Sequence, residues 1–157
     1  MFDASVQSPN GLTPTSLDVR VTARGGAKNK GEVVKFDLTA SDAAVSTAVV
    51  GATDGIFANV IEAAHPPITG QLHGVCLEDI ADDTTGMVRF RGVVQALGGD
   101  TSTIGVALTT EATSGELIAT TTETDVVLAI ALETLADATL GSVLFNGAGF
   151  GNVLVKT

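Results

Sequence analysis

The residues that could carry chemistry are few, and they do not converge. The chain has two histidines, His65 and His73, and one cysteine, Cys76. A catalytic nucleophile needs a base within hydrogen-bond reach and a third group to orient that base. His65 precedes two prolines in HPPITG, a turn or extended connector in which two backbone donors are missing. His73 and Cys76 share an apolar, strand-like run, where a small thiol reads as packing. A lone cysteine excludes an intramolecular disulfide. With only two histidines and no HExxH, it also excludes the usual Cys/His zinc patterns.

The acids offer little more. Asp79, Asp82 and Asp83 in EDIADD lack the spacing, the glycine and the terminal glutamate of a calcium loop. They read as a solvated acidic turn. Glu78 and Glu133 stand at the starts of two separate loops, so they form no general acid/base pair. NGAGFGN (146–152) has a GxGxG look, but a dinucleotide fingerprint must open a helix and too few residues follow. It reads as a glycine-rich bend before a last strand, NVLVKT. GGAKNKGE (25–32) lacks the GKS or GKT ending of a phosphate loop. The sequence therefore points to no catalytic residue, no metal and no cofactor, and the expectation is a protein that is not an enzyme.

What would hold such residues is a set of short strands. DVRVTAR (18–24), EVVKFDL (32–38), IFANVIEA (56–63) and GMVRFRGVV (86–94) alternate apolar and polar positions, with Val34, Phe36 and Leu38, and Val88 and Phe90, turned one way. SDAAVSTAVV (41–50) is open to two readings: its Ser-Asp start suits a helix cap, and its Val and Thr content suits a strand. VVLAIALETLADATLG (126–141) favours helix by its Ala and Leu content. A repeat decides otherwise. Aligning Val75 with Ile130 matches Leu77, Glu78, Ala81, Asp82, Thr84, Gly86, Val88, Phe90 and Gly92 with Leu132, Glu133, Ala136, Asp137, Thr139, Gly141, Val143, Phe145 and Gly147. The first copy carries Asp-Asp-Thr-Thr where a helix would have to continue, so both copies read as strand, loop, strand. GVALTTEATSGELIA (105–119) reads as a third, weaker unit. Such repetition belongs to closed or stacked β architectures.

Composition agrees. Of 157 residues 45% are apolar, so the chain can bury a core, yet there is neither Trp nor Tyr. The core must come from Val, Leu, Ile and Ala. The net charge of −10 argues against nucleic acid, because phosphate contacts need clustered cations. Arg20, Arg24, Lys28, Lys30 and Lys35 lie in one stretch, and no Lys or Arg occurs from Gly92 to Val155. MFDASVQSPN has neither the basic start nor the apolar core of a secretory signal. The longest apolar run, VVLAIAL, is far short of the ~20 residues of a membrane span. A soluble chain made in the cytoplasm and not embedded in a membrane is expected. The expected fold is all-β, a single-domain small β-barrel or β-sandwich over residues 18–157 with about three strand–turn–strand units. Residues 1–17 form an extended N-terminal arm.

GVALTTEATSGELIA, its relatives at 74–92 and 129–147, and the strand GEVVKFD resemble the small capsid decoration (cement) proteins of tailed bacteriophages, over about residues 31–157. The resemblance implies a β-tulip-like virion structural protein on the outer surface of an icosahedral head. Its partner would be the major capsid protein, whose neighbouring copies it clamps, and it would act as a homotrimer. Extended arms add strands or lie in grooves on a neighbour. On that basis Phe2, Leu12, Arg20, Arg24, Lys28 and Lys30 are the candidate capsid contacts. The alternative is a receptor- or glycan-binding knob or short fibre on the virion; the lack of Trp and Tyr counts against a sugar site.

Overall fold

The computed structural model describes residues 16–36, 45–46, 57–62, 72–111, 114–122 and 125–151. Among these there is no helix. Ten strands form one sheet: β1 (Leu17–Ala23), β2 (Val33–Phe36), β3 (Val45–Ser46), β4 (Phe57–Glu62), β5 (His73–Cys76), β6 (Thr85–Leu97), β7 (Ala107–Thr110), β8 (Leu117–Ala119), β9 (Ala129–Ala131) and β10 (Leu140–Asn146). The expected all-β class is the observed one. The strand NVLVKT and most of the arm 1–17 fall outside the described residues; Leu17 already belongs to β1.

The sheet closes on itself. Its order is β1-β4-β2-β5-β6-β10-β9-β7-β8, and β1 also pairs with β6. Strands β1, β4, β2, β5 and the first half of β6 therefore make a closed ring. The second half of β6 runs on into β10, β9, β7 and β8, and a bridge from Gly98 to Leu117 brings that series back to the end of β6. Two five-membered rings thus share one strand. Closure satisfies backbone groups that an open edge would expose.

The second ring repeats the first in register. Val34 meets Glu62 and Gly74 as Leu108 meets Ala119 and Ala129. Cys76 meets Val88 as Ala131 meets Val143. Ala23 pairs in parallel with Val60, and Gly98 in parallel with Leu117. Gly31 and Gly105, both at positive φ (88° and 83°), donate to the carbonyls of Cys76 and Ala131. The stretch 105–119 shares its opening letters with 74–92, yet in the sheet β7 and β8 stand where β2 and β4 stand in the first ring.

Alternation explains the packing. In β6, Gly86, Val88, Phe90, Gly92, Val94 and Ala96 are buried and their neighbours face outward. Val21, Ala23, Val34, Cys76, Ile80, Val88 and Phe90 form one core. A larger core gathers Val94, Ala96, Leu108, Leu117, Leu128, Leu135, Val143 and Phe145 with Val33 and Val75. Neighbouring residues of β2 (Val33, Val34) and β5 (Val75, Cys76) thus enter different cores, so β5 is buried on both faces and loses the alternating signature, while β2 is buried on both faces only at its start. Each fully buried Leu or Phe contributes about 1.5–3 kcal/mol. The helix propensity of 126–141 is overridden by this burial. Val126–Leu128 run buried and extended ahead of β9, held by bonds from the Leu128 amide to the Leu108 carbonyl and from the Val127 amide to the Gly151 carbonyl.

Candidate functional site

The residues that looked chemical hold loops. The Met87 amide donates to Glu78 Oε1 and the Ser142 amide to Glu133 Oε1, the same latch in both copies. The Ser142 bonds hold the Glu133 carboxyl below the usual glutamate range. Thr84 and Thr139 hydroxyls donate to the carbonyls of Ala81 and Ala136. Asp83 and Ala138 take the same left-handed turn conformation (φ 56° and 52°). Gly86 and Gly141 have no side chain because Ile80 and Leu135 fill that space.

The acidic turn is exposed, as expected, and its carboxylates also hold a neighbouring loop. Asp79 accepts from the Lys30 amide, Asp82 from the Gly26 amide, and Asp83 pairs with Arg24 at 2.7 Å. Asn29 donates its amide to Glu32. The acids of one loop therefore clamp GGAKNKGE onto the first ring, and no group of three or more His, Cys, Asp or Glu among the described residues is placed to hold a metal. His73 is buried in β5. Cys76 is buried, and desolvation first, then the nearby Glu32, pushes its thiol up to about 12. His65, Phe2 and Leu12 lie outside the described residues.

The basic candidates do not form one surface. Arg20 and Lys30 are exposed, and Arg24 is half-buried against Asp83. Lys28 departs from the picture of a solvated loop lysine. It is only 4% exposed, and its backbone bridges Ile80. Arg89, a polar position of the alternating strand GMVRFRGVV, is firmly anchored. It makes a forked bond to Asp18 (2.7 and 2.9 Å) across the β1–β6 pair and donates to the Val93 carbonyl at 2.6 Å. Hydrogen bonding between the two lowers the Asp18 carboxyl and raises the Arg89 guanidinium, each from its ordinary value.

That last bond spans Gly92, whose φ of 117° suits only glycine, at the point where β6 leaves one ring for the other. Beside this crossing lies a cavity of about 310 Å³ lined by Lys30, Leu77, Arg89, Val93, Gln95 and Ser142 among others. It is shallow and mixed in polarity, with no paired acid and base at its floor. From here the outward face of the second ring continues through Val93, Leu144 and Ile130, which pair across three strands. Val93 is 52% exposed, and Leu144 and Leu132 about 40%. This apolar face was hidden from sequence reading because Val93 and Ile130 sit in runs such as RGVVQAL and VVLAIAL, where inward and outward positions are both apolar.

The arrangement is that of an all-β sheet closed into two rings. No family model and no curated protein matches the chain. Among solved structures, the N base of the head fibre gp8.5 of bacteriophage phi29 has a similar fold. The TM-score is 0.55 over 87% of this chain and 99% of that chain, at 16% sequence identity.

Proposed function

We propose that the protein is a structural component of a phage virion, attached to the outside of the head, where it clamps neighbouring major capsid proteins. The observation that carries this reading is the fold shared with a head fibre base over nearly the whole of both chains. The resemblance of its repeated phrases to cement proteins points the same way. The mechanism is linkage. A protein that binds the assembled shell and not the separated subunits stabilises the shell. Copies joined as a trimer engage several capsid subunits at once, and effective concentration makes the set tighter than any single contact. Neither role needs catalysis or a cofactor. The likeness to a fibre base also favours a second reading, in which the molecule is the foot of a head appendage.

Co-sedimentation with expanded heads that lack the protein tests both. Saturable binding with a fixed copy number and later DNA release on heating is the result expected of a clamp. Saturable binding without added heat resistance is the result expected of a foot. A folded protein that fails to bind heads overturns both.

A further inference from the structure

The outward row of β6 changes character where the rings meet. Arg89, Arg91, Val93 and Gln95 follow one another along it, with Phe90, Gly92 and Val94 buried between them. Val93 pairs with Leu144 of β10, and the two are 52% and 39% exposed. Lys30 shares the adjoining cavity with Arg89, Val93 and Gln95. Basic and apolar groups therefore lie on one surface. Exposed apolar residues that adjoin across strands mark a contact surface.

The chain leaves this surface short of acceptors. It has 18 Asp and Glu for 8 Lys and Arg. Yet among the described residues neither Lys30 nor Arg91 has a carboxylate partner, whereas Arg24 and Arg89 do. The carboxylates that adjoin the surface are engaged within the chain: Asp18 accepts from Arg89, Asp79 from the Lys30 amide and Glu133 from the Ser142 amide. Lys and Arg side chains carry donors only, so the complement of Lys30 and Arg91 is an anionic acceptor. Val93 and Leu144 require that acceptor to arrive with apolar surface, which a phosphate backbone lacks, and the net charge of −10 opposes a nucleic acid. We propose that this surface (Lys30, Arg91, Val93, Gln95, Leu144) docks a segment of another protein in which carboxylates flank an apolar residue. An apolar centre with a charged rim is the usual anatomy of such a contact. The inference rests on the capsid reading above for the partner's identity, but not for its chemistry.

Two-dimensional NMR of the full, nitrogen-labelled chain, titrated with blocked peptides, tests it. A peptide with Glu on both sides of a Leu-Val pair should shift the amides of 89–95 and 142–146, and less so as salt rises. The same peptide with Lys in place of Glu should not. Gln95 is exposed on the same row. Gln95→Lys should tighten binding of the Glu peptide by about threefold and Gln95→Glu should loosen it as much. Opposite effects at one exposed position separate charge from damage to the fold, and if either variant fails to fold the wild-type titration decides alone. No shift at these amides, equal shifts with the Lys peptide, or equal affinity of the two Gln95 variants overturns the proposal. So does a response to polyphosphate but not to the Glu peptide. Gln95 variants that bind heads equally well sink this inference alone; a chain that meets the Glu peptide here but binds no heads sinks only the capsid reading.

Discussion

Replacing Gly147 by alanine should be among the most damaging single-methyl changes available in this chain. A Cβ at Gly147 would lie 1.8 Å from the His73 carbonyl oxygen, 2.9 Å from its carbon and 3.0 Å from the Phe90 oxygen. All three are backbone atoms, so no rotamer relieves the clash. The end of β10 would have to withdraw from β5 and β6 by more than ~1 Å to reach ordinary contact distance. That movement breaks or stretches two bonds, from the His73 amide to the Gly147 carbonyl (2.9 Å) and from the Gly147 amide to the Phe90 carbonyl (2.8 Å). Overpacking costs about 1–3 kcal/mol and each lost bond about 1 kcal/mol, so about 3–5 kcal/mol in all. Domains are stable by only about 5–15 kcal/mol, so this is a large share. The melting temperature should fall by about 10 °C, at about 2–4 °C per kcal/mol for a chain of this length. Gly105→Ala is the control. Nothing lies within 4 Å of its would-be Cβ, and only its φ of 83° opposes a side chain, at a cost of about 1–2 kcal/mol. Thermal and urea unfolding followed by circular dichroism compare the two. If Gly147→Ala is no more destabilising than Gly105→Ala, the close approach of β10 to β5 is wrong.

Three further outcomes follow from the same geometry. Leu77→Ala should cost about 2 kcal/mol and Leu132→Ala less than about 1 kcal/mol in urea titrations, although the repeat gives them the same position, because only Leu77 is packed against a core. Asp18→Asn should cost about 1 kcal/mol at neutral pH for this partly exposed pair. Since the folded carboxyl titrates below its unfolded value of 3.8, the pair stabilises above that value and the benefit is lost as pH falls through the folded one, so wild type and variant should converge in acid. Cys76 should resist a disulfide reagent at pH 8 in the native protein and react fully in denaturant, because its thiol is buried and pushed up to about 12; rapid native labelling would contradict its placement.

The second half of each ring was legible because its identities fall at positions the backbone constrains. Glu78 and Glu133 latch an amide, Thr84 and Thr139 cap a turn, and Gly86 and Gly141 clear space for Ile80 and Leu135. The first half was not legible. GEVVKF and GVALTT share little besides a glycine, because strand interiors need only an apolar residue of suitable size where the ladder bonds come from the backbone. Gly92 and Gly147 show the same limit from the other side. They are one letter in one repeat position, but Gly92 serves a positive φ and Gly147 a backbone approach. Of the surface, the acidic half was visible as composition. The exposed apolar face was not, since nothing in a run such as VVLAIAL states which side is covered.

That the rings share β6 explains why a duplicated chain still behaves as one body. Splitting it between β6 and β7 would strip β8 of its bridge to Gly98 and leave Val33 and Val75, outward-facing in the first ring, without the core they enter. Each ring therefore depends on the other for burial, and the two should unfold together. The dependence is asymmetric. Duplication creates two equivalent outer faces, and one is consumed in joining the rings. The other keeps its apolar residues, Ile130 for Val75 and Leu132 for Leu77, although Ile130 is only half-buried and Leu132 is exposed. A surface residue under no contact constraint can become polar at little cost to stability. The apolar character at the exposed copy is therefore not required by the fold of the described residues, whereas at the joined copy it is.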